Sequence, residues 1–267
     1  MSQILCLSMI GAVIGAYLGK YIGWAIRAWP SHEKFHCDYL KCPSCKKGLE
    51  FGCCNAGIAQ ERFYIALSAI VAGVSVFFFG FSIKAFISWL FVAACLIVTI
   101  VDIRCFIIPD CLSKGGIAAG LIYAAIAWAV LKWGGFQLSY YVTFTDSFIG
   151  FAVGGGFLMF LGKISEVVFK KPDGMGGGDV KLLAAMGAWA GWKPVIVTVL
   201  IASFVGASFG LATIIYDSIK NKKAYRPMSH HIPFGPYLCL GFLITFYLGM
   251  EPFLNFFNAY QYWIMNR

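Results

Sequence analysis

Apolar positions along this chain gather into long unbroken runs, not the alternating or three-to-four spacing of elements with one face in water. The runs cover 3–26, 63–80, 85–101, 114–131, 145–162, 195–216 and 234–256, with a shorter one at 180–192. A helix needs about 20 apolar residues to cross roughly 30 Å of hydrocarbon, and a closed set of backbone hydrogen bonds makes helix the natural form for such runs. The pattern therefore predicts an all-α polytopic membrane protein with about eight transmembrane helices. The run at 180–192 is too short to cross alone unless protein shields it or it begins inside a cavity. Residues 27–62 form a polar, Cys-containing interruption, so the chain divides into a first transmembrane helix at 1–26, a loop at 27–62 and a membrane domain at 63–267. The first run has neither a basic leading region nor a small-residue cleavage site, and is expected to be retained.

Composition agrees: 60% of residues are hydrophobic and 12% charged, and the mean hydropathy of +0.77 lies outside the soluble range. Charge then gives orientation, because Lys and Arg gather on the cytoplasmic side. Sixteen of the 21 basic residues fall in 27–62, 102–114, 163–181 and 217–231, leaving Lys20, Lys84, Lys132, Lys193 and Arg267. Those four segments are expected in the cytoplasm and both termini outside. The net charge of +9 then reflects a basic face beside anionic lipid, and no nucleic-acid partner is expected.

Acids are scarce, twelve in all. Most fall in loops or near span ends, but Asp102 and Asp179 each sit where an apolar run meets the cytoplasmic boundary, in "LIVTIVDIRCFIIPD" and "GMGGGDVKLLAAMGAWAGW". An ionisable group there costs a few kcal/mol by insertion scales. Helix capping is one explanation, open to Asp179 because it directly precedes the short run. It suits Asp102 poorly, since that residue follows its helix and meets the negative end of the dipole. Asp110, after Pro109 and before the fourth run, is the better structural cap. The other explanation is a carboxylate pair at one depth on two helices, one acid taking a proton from water while the other donates to a carbonyl. That arrangement hydrolyses a peptide without metal or covalent intermediate.

Gly174, Gly176, Gly177 and Gly178 precede Asp179. Each costs about 1 kcal/mol in a helix relative to alanine, so an open backbone is expected, against which an extended substrate peptide can lie closely. Phosphate cradling is disfavoured, because the G-x-x-x-x-G-K-[ST] spacing is missing and no strand precedes.

These stretches, with "IPFGPYL" at 232–238 and the eight-run pattern, resemble the type IV prepilin peptidases, of the G-x-G-D class of intramembrane aspartyl proteases. The resemblance covers most of the chain. It implies catalysis by Asp102, which opens the D-x-x-x-x-x-x-P-D stretch, and by Asp179 of G-x-G-D, and makes 63–267 a membrane peptidase domain. Family members often carry a second acid two residues after the first; Arg104 stands there here. The implied partners are type IV prepilins or pseudopilins, cut just cytoplasmic of their apolar N-terminal helix, and the implied place is the bacterial inner membrane with the active site facing the cytoplasm. The basic cytoplasmic face would not attract a basic leader, so docking of the pilin helix between spans is expected to carry recognition.

The loop "FHCDYLKCPSCKKGLEFGCCNAGIAQERF" departs from the relatives. Cys42 and Cys45 have structural zinc spacing, and Cys53 or Cys54 with Cys37 or His36 could complete a tetrahedral site. Many family members also methylate the new pilin N-terminus from S-adenosylmethionine, through a longer loop holding two C-x-x-C pairs. Here adjacent Cys53 and Cys54 stand in place of the second pair. Cys6, Cys95 and Cys239 fall within apolar runs and are expected to pack. His230-His231 reads as a solvated loop pair. The glycines of "GFAVGGGFLMFLG" are expected to let helices approach closely.

Two other classes fit less well. A transporter would share the spans and the intramembrane acids, but it predicts inverted halves, and no self-similar halves are seen. A membrane scaffold would have no use for paired acids.

Overall fold

The computed structural model describes residues 2–32, 55–134, 140–169, 176–221 and 233–265. Among them the elements are helices α1 (Ser2–His32), α2 (Asn55–Phe79), α3 (Ile83–Cys105), α4 (Asp110–Gly134), α5 (Phe144–Phe169), α6 (Gly177–Ala190), α7 (Trp192–Asn221), α8 (Gly235–Leu248) and α9 (Glu251–Met265). No strand occurs among the described residues, as the need to satisfy every backbone group within a segment requires in lipid.

Five of these helices carry stretches long and apolar enough to cross a membrane: Arg62–Phe79, Ile83–Ile103, Asp110–Trp133, Phe144–Val168 and Trp192–Tyr216. In α1 the apolar stretch is the shorter Cys6–Ile22, and 180–192 is found as the short α6. The run at 234–256 is not one straight span. It is broken into α8 and α9, bent by 90°, at Gly249, whose φ of +72° lies in the left-handed region where only glycine is unstrained. Hydropathy averaged along a run is blind to such a break.

The chain forms two compact units, Met1–Pro109 with Leu131–Tyr141, and Asp110–Val130 with Val142–Arg267. In the first unit α1, α2 and α3 pack together. Lipid tails are as apolar as leucine, so burying leucine drives nothing there, and helices associate through close packing and internal polar bonds. Ser68 Oγ donates to the Gly15 carbonyl at 2.7 Å, Trp89 Nε1 donates to Ser68 Oγ at 3.1 Å, and the Ser75 and Ser88 hydroxyls pair at 3.1 Å.

The second unit is built around α6, whose residues Leu182–Ala188 are all buried. Gly150 of α5 and Gly187 of α6 are in backbone contact, and a side chain at either would collide with the other. Ser147 Oγ donates to the Ala188 carbonyl at 2.5 Å. Glycine in the fifth run thus acts as expected, admitting a neighbour's backbone. On another side α4 meets α6, where Trp189 Nε1 donates to the Gly116 carbonyl at 2.9 Å and Tyr123 stacks on Trp189. Helix α8 packs on α7 and α6, with the Thr198 and Thr245 hydroxyls paired at 3.3 Å. Cys95 and Cys239 pack in the interior, but Cys6 is exposed, contrary to expectation.

Candidate functional residues

Asp102 lies in the last turn of α3 and is 5% exposed, with Val98 and Val101 buried beside it in sequence. Its backbone carbonyl accepts the Phe106 N–H at 2.8 Å. Phe106 ends the helix in the left-handed conformation, φ 54° and ψ 36°, a region that bulky residues seldom occupy. The chain then runs through Ile107, Ile108 and Pro109 into α4. Asp102 is therefore inside its helix and not beyond it, but near the C-terminal, negative end, as expected.

Asp179 is the third residue of α6. The capping reading is corrected here: the N-cap is Gly176, which makes no side-chain capping bond, and its carbonyl accepts the Asp179 N–H at 3.0 Å. An acid in the first turn sits beside the positive end of the helix. The expectation that the glycine run stays out of helix is also corrected, since Gly177 and Gly178 form the first turn with Asp179. The propensity cost is overridden because the helix they open is buried along its next turns. Gly174 lies outside the described residues.

Two glycines differ in what surrounds them. A Cβ on Gly176 would lie 2.8 Å from Asp179 Oδ2, so the carboxylate folds back over Gly176. A Cβ on Gly177 would meet nothing within 4 Å. The other oxygen, Asp179 Oδ1, is shut off from solvent. The carboxylate thus has one oxygen turned into protein and the other over a residue with no side chain to obstruct it.

Lys181, two residues on from Asp179, reads in the sequence as one more cytoplasmic cation, but it ties α6 to α4. Its Nζ donates to Asp110 Oδ1 at 2.7 Å, and Lys114 Nζ lies 2.6 Å from Asp110 Oδ2. Asp110 is the first residue of α4, and it joins that helix to the opening turns of α6. At that helix start its carboxylate is ion-paired with both lysines. The lysine in "GDVKLL" beside a second aspartate in an apolar setting was the available signal.

Cys37, Cys42, Cys45, Cys53 and Cys54, with His36, His230 and His231, lie outside the described residues. Among the described residues no group of three or more His, Cys, Asp or Glu side chains is placed to hold a metal.

Residues 89–211, which enclose both aspartates, match the family described as the type IV leader peptidase family. Similar proteins bear the name prepilin leader peptidase/N-methyltransferase. The one from Aeromonas salmonicida strain A449 is 33% identical over 201 residues, 73% of this chain and 61% of the relative. Those from Legionella pneumophila and Pseudomonas aeruginosa PAO1 are 28% and 30% identical over 80% and 78% of this chain, and over 67% and 62% of their own lengths. The chain thus spans about three fifths to two thirds of these leader peptidases. No solved structure matches it.

Proposed function

We propose that this chain is an aspartyl endopeptidase of the bacterial inner membrane, which removes the leader of type IV prepilins or pseudopilins at the cytoplasmic boundary. The observation that carries the reading is that the family segment 89–211 encloses Asp102 and Asp179, each placed at a helix end within or beside apolar helix.

In the proposed reaction the two carboxylates share one water. Asp179, beside the positive end of α6, accepts a proton from the water as its oxygen attacks the scissile carbonyl. Asp102, at the negative end of α3, donates its proton to the carbonyl oxygen, giving a neutral gem-diol. The C–N bond then breaks as the proton held by Asp179 passes to the leaving amine. A hydroxyl proton of the diol returns to Asp102 as the new acid forms. Atoms balance with one water consumed, and neither residue bonds covalently to the peptide. Gly176 leaves room for the Asp179 carboxylate, Gly177 leaves room for the extended peptide, and the Lys181–Asp110 pair fixes the first turns of α6. Gly174 and Gly178 are assigned to the same peptide-binding stretch.

The relatives' names carry a second activity, N-methylation, which for this chain we assign to segment 27–62 with S-adenosylmethionine as donor. Zinc held by Cys42 and Cys45 with Cys53 or Cys54 and Cys37 would organise that loop; about one zinc per purified chain is expected.

The test of the peptidase reading is direct. Purified protein in nanodiscs is incubated with a full-length prepilin and with one whose residues flanking the leader junction are replaced. Loss of the leader from the first alone, read by mass spectrometry of the new N-terminus, supports the proposal. An intact prepilin in the presence of well-folded enzyme overturns it.

A further inference from the structure

Helix α9 stands apart, for none of its residues is buried. At 100° per residue, Phe253, Phe256, Phe257, Tyr260, Trp263 and Ile264 fall within one arc of about 120°. Every hydrogen-bonding amide and the one acid, Glu251, Asn255, Asn258 and Gln261, lie on the opposite side, which they share with Leu254, Tyr262 and Met265. The aromatic arc is open: Phe256 is 70% exposed and Trp263 52% exposed. A water-soluble protein rarely leaves so large an apolar face uncovered.

Three observations say what covers it. The helix has 15 residues, about 22 Å at 1.5 Å per residue, too short to cross roughly 30 Å of hydrocarbon. It departs at 90° from α8, whose own sequence is apolar throughout and whose last residue, Leu248, is 60% exposed. The aromatic arc therefore begins where the apolar surface of a membrane-embedded helix ends. Finally, α9 holds no Lys or Arg and a single acid, at its first residue. Tyr260 and Trp263, whose rings stack 6.2 Å apart, have the amphipathic chemistry of residues at membrane–water boundaries.

We propose that α9 lies flat in the bilayer interface where α8 ends, its aromatic arc sunk among the upper acyl chains and its Asn/Gln side in water. The partner is the lipid surface itself. So placed, α9 fixes the depth of α8 and hence of the helices α8 packs against. Anchorage of this kind scales with the apolar area buried at the headgroup boundary.

The test places a fluorescent dansyl amino acid, one position at a time, at 256, 260 or 264 on the aromatic arc and at 255, 258 or 261 on the other. The full chain is reconstituted in nanodiscs of phosphatidylethanolamine and phosphatidylglycerol, with bromines near the top or the end of the acyl chains. All three arc positions should be quenched several-fold more by shallow than by deep bromine, to the same degree, while the other three respond to aqueous iodide. Depth increasing steadily from 256 to 264 would mean that α9 crosses the membrane. Absence of lipid quenching on the arc would mean that protein, such as a second copy, covers it; either result overturns the proposal. Unsubstituted protein gives a second measurement, since a lipid with a diazirine high on its acyl chain should label residues 253–264, and failure to label them counts against it equally.

Discussion

Asp102 and Asp179 are one residue type held in opposite surroundings. Asp102 is nearly inaccessible, near the end of a long helix whose last carbonyls point past it. Asp179 opens a short helix, folded over a glycine, with donor N–H groups of the first turn beside it. Two equivalent acids would compete for the same role; two acids at opposite helix ends are already distinguished, one suited to hold negative charge and the other to give a proton. The difference arises from neighbouring residues. Phe106 stops α3 just past Asp102, and Gly176 starts α6 just before Asp179.

The largest expected effect removes the difference altogether. Asp102→Asn and Asp179→Asn should each lower prepilin cleavage by roughly 10³-fold, as loss of a general acid or base does, while the protein still inserts and accumulates. The check is leader removal in nanodiscs at matched protein amounts. Substantial processing by either variant would reject the two-carboxylate mechanism.

A smaller effect should separate the two glycines. Gly176→Ala presses a methyl group against Asp179 Oδ2, and should lower kcat by about 10- to 100-fold through misplacement of the carboxylate. The Cβ of Gly177→Val has open space around it, so this variant should spare kcat and raise KM by about tenfold if the peptide lies in that space. Equal behaviour of the two variants would show that the glycines serve only to connect helices.

Smaller still is the expected loss from Lys181→Met or Asp110→Asn. These side chains are about two fifths exposed, so the pair adds no more than about 0.2–1 kcal/mol to stability after screening. Each variant should cut kcat several-fold by loosening the opening of α6, and the double variant should do no worse than either single one. Additive losses would mean that the two residues act separately.

How much of this was legible follows from what each signal measures. Long apolar runs announced the all-α membrane class and five of the about eight expected spans, because hydropathy is a local property summed over some 20 residues. The same averaging hid the break at Gly249, where one residue turns the chain. The glycines before Asp179 misled in the other direction. Propensity counts their cost in isolated helix, whereas here α6 is held by α4, α5 and α8, so that Gly177 and Gly178 become its first turn. Asp102 and Asp179 stood out because charge in apolar surroundings demands a reason. The tie from Asp110 to Lys181 spans 71 positions, a distance over which no spacing rule operates.

The smallest effect tests the stop beside Asp102. Phe106 holds φ 54°, a conformation costing L-residues about 1 kcal/mol and glycine almost nothing. Phe106 is 56% exposed, so replacing it changes both backbone preference and whatever the ring contributes at the protein surface. Comparing Phe106→Gly with Phe106→Ala separates these, because both remove the ring and only glycine relieves the backbone. The glycine variant should be more stable than the alanine variant by about 1 kcal/mol, read as a shift in the thermal midpoint of the reconstituted protein. Cleavage by the two should be equal, since the helix still ends at the same residue and Asp102 keeps its place. Were the glycine variant the less stable, the left-handed turn would not be what ends α3, and the contrast between the two helix ends would lose its origin on the Asp102 side.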